Sequence, residues 1–128
     1  MKLQVDPISE ICRWPLGSDV TQVSYNTDGL RIVVSSPVGI DEYTEVFFSS
    51  PIAFQVMDEG EMYTLWKDSK CSSKHAVYKV ISGGWKDRVK NGFLVVSGSD
   101  DKIAEYLVVT VGDCVSVLSP LPPEILEF

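Results

Sequence analysis

A thiol and an imidazole four residues apart, Cys71 and His75, are the best-placed groups in this chain for covalent chemistry. A thiolate forms at neutral pH only when a base or a positive charge stands beside it. His75 is the single histidine, and the surrounding "DSKCSSKH" supplies no third group to orient an imidazole. The segment reads as a polar surface loop that happens to hold a cysteine. Carboxylates are the second option. Asp41, Glu42 and Glu45 cluster, as do Asp58, Glu59 and Glu61, and Asp100 adjoins Asp101. Paired carboxyl groups perform acid–base work when a cleft holds them over a substrate, and few aromatic residues stand near these. Asp58 and Glu61 also have the spacing of a helix capping box, which accounts for them without catalysis. We therefore expect no catalytic residues, with a small hydrolase or transferase using a carboxylate cluster as the alternative.

Metal and cofactor sites are not expected either. Cys12, Cys71 and Cys114 are widely spaced, with no CxxC and one histidine to help them. "SGGWKDR" and "SGSDDK" contain glycines but not the spacing of a phosphate-binding loop. The segment from Lys67 to Lys90 is basic and holds Tyr78 and Trp85, residues on which bases could stack. Both aromatics fit core positions equally well, and the rest of the chain would repel a polyanion. Nucleic acid is not expected as a partner.

The net charge of −7 is unevenly spread over the 128 residues. Residues 1–66 carry three basic and ten acidic groups, residues 67–90 seven and two, and residues 91–128 one and six. Such a surface attracts basic partners over a distance and repels anionic lipid. There is no apolar run of signal-peptide or membrane-spanning length, and unpaired thiols suit a reducing compartment. The expectation is one cytoplasmic domain, 1–128, ending in a proline-rich extended tail over 119–128. On it, Asp41, Glu42, Glu45, Asp58, Glu59 and Glu61 would bind a basic protein. Tyr43 and Tyr63 would serve as aromatic anchors.

The elements that must position these residues are mostly strands. In "QVSYNTDGLRIVVSS", Val23 and Tyr25 precede Asn26-Thr27-Asp28-Gly29, and Leu30, Ile32 and Val34 follow at period two, which predicts a hairpin. Tyr43 to Ser49 and Ile52 to Met57 are strand-like, with Pro51 as a break between them. A short helix is predicted over 58–67, with Met62, Leu65 and Trp66 on one stripe. Residues 77–81 return to strand, and "SGGWKDRVK" suggests a helical turn capped by Ser82. The apolar run at 106–111 predicts a central strand buried on both faces. Gly112-Asp113 predicts a two-residue hairpin loop, and Pro120, Pro122 and Pro123 then end the pairing.

The stretches "FFSSPIAFQVMDEG…LW", "VYKVISGGW" and "EYLVVTVGDCVSVLSPLPPEI" together resemble a group of small bacterial single-domain proteins. Some of these are similar to immunity proteins encoded beside polymorphic or contact-dependent toxins. The likeness spans Glu42 to Ile125, about two-thirds of the chain. It implies a cytosolic inhibitor that binds a toxin domain, many of which are basic nucleases, and blocks its active site or cofactor access. The fold expected is mainly antiparallel β within the α+β class. Six or seven strands would form a strongly curved sheet or partial barrel, with one or two short helices. The function expected is a non-enzymatic protein-binding module, a homodimeric structural subunit being a further alternative.

Overall fold

The computed structural model describes residues 3–8, 18–35, 43–58, 76–88, 102–110 and 112–127. Alternation decides the faces of its strands. In β3 (Gly29–Ser35) Leu30, Ile32 and Val34 are fully buried, while Arg31, Val33 and Ser35 are half-exposed. β3 pairs with β2 (Asp19–Asn26) across the expected hairpin, closed by the pair Asn26 and Gly29. The Asn26 side-chain oxygen accepts a hydrogen bond from the Asp28 backbone N–H at 2.8 Å, so the turn is stapled locally. β4 (Tyr43–Phe48) lies on the other side of β3, and β9 (Glu124–Glu127) completes a sheet in the order β2-β3-β4-β9.

The second sheet contains β1 (Gln4–Pro7), β5 (Ala53–Asp58), β6 (Val77–Ser82), β7 (Ala104–Val109) and β8 (Asp113–Ser119). Their order is β1-β6-β7-β8-β5, and every pairing in both sheets is antiparallel. Leu30, Ile32, Val46 and Phe48 of the first sheet share one apolar cluster with Val77, Tyr106, Val108, Val115 and Val117 of the second. The sheets therefore pack face to face. Ring contacts fix the seam, Phe48 on Tyr106 and Tyr25 on Phe54, each at 5.6 Å between centroids. As the run at 106–111 predicts, β7 is central, with Tyr106 and Val108 in that cluster and Leu107 buried on the opposite face.

The mainly antiparallel β character expected from the sequence is what the structure shows, but the single curved sheet is not. Nine strands, counted among the described residues, form two sheets. The reason lies at the prolines. β4 belongs to the four-stranded sheet and β5 to the five-stranded one, with Pro51 in the link between them. Residues 120–123, "PLPP", link β8 to β9 in the reverse direction. A proline cannot donate to the ladder, so pairing stops there and the chain crosses to the other layer. The proline-rich segment thus supplies an edge strand as well as an extended link. Ser119 shapes its start, its hydroxyl donating to the Leu121 carbonyl at 2.7 Å and accepting from the Leu121 N–H at 3.2 Å.

Two local expectations also change. β7 and β8 remain paired only as far as Val109 and Cys114, so their ladder stops short of the two-residue loop that was expected. The Thr110 hydroxyl closes it, donating to the Asp113 carbonyl at 2.6 Å and accepting from Gly112 N–H at 3.3 Å. Residues 85–88 are helical as predicted, but Ser82 is the last residue of β6 and does not cap them. The helix expected over 58–67 lies, beyond Asp58, outside the described residues, as does the Cys71–His75 pair.

Candidate protein-binding surfaces

Asp58 ends β5, where the uncharged run Ala53 to Met57 gives way to a carboxylate. Its register partner on β8 is Asp113, so two acids stand directly opposite one another, and Asp58 has a further interaction within the protein. A third acid joins them. Asp19 opens β2, and its Oδ1 would lie 2.1 Å from a Cβ placed on Gly112, so the carboxylate sits against this glycine. One end of the molecule therefore gathers Asp19, Asp58 and Asp113 on three strands. Among the described residues, no group of three or more His, Cys, Asp or Glu side chains is arranged to hold a metal ion. The cluster makes a region of negative potential.

The same flank carries apolar surface. Tyr25 near the end of β2 is 62% exposed, and Ile52 and Val56 at β5 are 44% and 46% exposed. Tyr25, Pro51, Ile52, Phe54 and Trp85 line a shallow depression of about 240 Å³. From Asp19 to Tyr25 the strand covers about 20 Å at ~3.3 Å per residue. Carboxylates thus mark one end of this flank and aromatic surface the other.

The acidic residues expected to act together are divided. Tyr43 and Glu45 lie on the outer face of the four-stranded sheet, opposite Ser35 and Val33 of β3, whereas Asp58 belongs to the other sheet. Glu45 accepts from Arg31 Nε, and the Arg31 guanidinium also lies 5.1 Å from the Phe47 ring centroid. Its charge is already matched, which leaves Glu45 a weaker target for an external cation. Asp41, Glu42, Glu59, Glu61 and Tyr63 lie outside the described residues.

Glu105 is the ionisable residue that the sequence did not flag. It sits in β7 within the apolar run "IAEYLVV" and is 4% exposed. Its two oxygens accept backbone N–H bonds from Trp85 at 3.0 Å and Lys86 at 2.8 Å, so it caps the helical turn that Ser82 was expected to cap. Gly83 adopts φ +79° and donates its N–H to Asp87 Oδ2 at 2.8 Å, turning the chain into that helix. Burial pushes the Glu105 carboxyl above its ordinary pKa against the two backbone bonds; Asp87 raises it further and Lys86 lowers it. A neighbouring cavity of about 210 Å³ would suit a general acid. Both oxygens are already engaged by the backbone, however, and the role this supports is structural. The only sequence signal was a lone glutamate in a buried strand with Gly-Gly before Trp85.

Fold and surface together define a two-sheet antiparallel β protein with an acidic, partly apolar flank. No family model, no curated protein and no solved structure matches the chain.

Proposed function

We propose that this chain is a non-enzymatic protein-binding module that acts in the cytoplasm as an immunity protein, neutralising a basic toxin domain by covering it. The β2–β5 flank carries this reading. Exposed Tyr25, Ile52 and Val56 supply desolvating contacts, and Asp19, Asp58 and Asp113 supply the charge that draws in a basic surface. The overall charge of −7 favours the same class of partner.

The experiment is co-purification and titration calorimetry against the toxin-like product of the adjacent gene. We expect micromolar or tighter binding. Reversing Asp58 and Asp113 to lysine should slow association at least about tenfold at low salt, and Tyr25→Ala should speed dissociation by about tenfold. Failure to recover a complex at micromolar concentrations would defeat the proposal.

A further inference from the structure

Three aromatic side chains meet at the shallow depression of the β2–β5 flank: Tyr25 of β2, Phe54 of β5 and Trp85 of the helical turn. Each is held by a different part of the fold. Tyr25 and Phe54 touch with their ring planes inclined at 54°, so neither ring covers the face of the other as a parallel stack would. Phe54 packs against the apolar cluster shared by the two sheets, and Trp85 packs on the cluster of Ile103 and Leu118. The Glu105 carboxylate accepts the Trp85 backbone N–H, which ties this third wall to β7. Tyr25 itself stands open to solvent.

The face of an aromatic ring is the negative part of its quadrupole and attracts a cation laid against it, most strongly for tryptophan. Among the described residues, no charged side chain of either sign lines the depression. Lys86 follows Trp85 in the chain but lines the separate cavity beside Glu105, where its ammonium donates to the Ile103 carbonyl. A cation arriving at the rings therefore meets no like charge among the lining groups, and the chain's charge of −7 draws it in from a distance. The same field repels an anion and does nothing for a neutral group. Among protein cations the guanidinium fits best, being planar, weakly hydrated and suited to lying on aromatic faces.

We propose that this depression is a subsite for an arginine side chain of the partner protein, its guanidinium lying against Tyr25, Phe54 and Trp85. The assignment rests on the protein-binding reading above and names what that flank recognises.

Titration of the ¹⁵N-labelled full chain with N-acetyl-arginine N-methylamide tests it, with the citrulline analogue as a neutral probe of nearly the same shape. The arginine probe should shift the amide signals of Tyr25, Ile52 and Trp85 saturably, and the citrulline probe should bind at least about threefold more weakly, the loss expected for one exposed cation–π contact. Tyr25→Leu keeps apolar area but removes a ring face; it should weaken the arginine probe about threefold and leave the citrulline probe unchanged. Equal affinity of the two probes for the wild-type protein overturns the proposal, since the depression is then merely apolar. Arginine shifts confined to the end bearing Asp19, Asp58 and Asp113, or no saturable shifts, overturn it as well. The probes do not involve the partner, so a negative result removes this subsite and leaves the complex with the adjacent gene's product to stand or fall by its own titration.

Discussion

Gly84 lies so close to the Glu105 carboxylate that a Cβ there would meet Oε2 at 2.6 Å and Oε1 at 2.7 Å. That carboxylate is pinned by Trp85 and Lys86, and a Val80 methyl stands 2.8 Å from the same point, so nothing nearby can swing away cheaply. Gly84→Ala should therefore cost about 1–3 kcal/mol, the usual range for overpacking a filled site. Urea unfolding of both proteins checks this, and an unchanged midpoint would contradict it.

Glu105 also sets a pH dependence. Its carboxyl has a higher pKa folded than unfolded, where 4.5 is the ordinary value, so the folded chain holds the proton more tightly. The stability this contributes is complete below the ordinary value and is lost as pH rises through the folded one. The stability of wild type relative to Glu105→Gln should consequently fall between about pH 4 and the upper end of that window, while carboxylates common to both cancel. Paired urea titrations across the range measure it. A difference that is flat or grows with pH would be the wrong sign.

Thr44 offers a stabilising change. Its hydroxyl is buried on the inner face of β4 without a hydrogen-bond partner among the described residues, and the residue is 2% exposed. Thr44→Val keeps the shape and removes an unpaid desolvation, which should add about 1 kcal/mol. Thermal unfolding would show a higher midpoint; a lower one would mean that the hydroxyl has a partner.

Gly29 should be intolerant for a backbone reason. Its φ is +138°, and an added Cβ would fall 2.3 Å from the Phe48 carbonyl oxygen and 2.9 Å from Phe47 Cζ. Gly29→Ala combines strain with a clash against backbone that cannot move, and we expect a loss of about 2 kcal/mol or more. Denaturant midpoints will register it, and a loss below about 0.5 kcal/mol would be inconsistent with this hairpin geometry.

Much of the local architecture was legible in the residues. The period-two pattern of Leu30, Ile32 and Val34 named the buried face of β3, and the doubly apolar run at 106–111 marked the centre of a sheet. The Asn26 to Gly29 turn followed from its chemistry, because an asparagine side chain can bond its own backbone and glycine tolerates φ values that other residues avoid. Of the site, less was visible. Asp58 was singled out as a helix cap and as a partner contact, but its place beside Asp113 and Asp19 depends on residues more than 35 positions away in each direction.

The sequence by itself determined most of the strands, though not β1 or the paired β9, and which of their side chains share a face. Only the tertiary structure decided that Pro51 and the 120–123 link carry the chain between two layers, and that Glu105 rather than Ser82 caps the turn at 85–88. The physical reason is one of range. Alternation and turn chemistry are set by neighbours a few residues apart, whereas the choice of ladder partner is a contest among distant segments that is settled by how all of them pack at once.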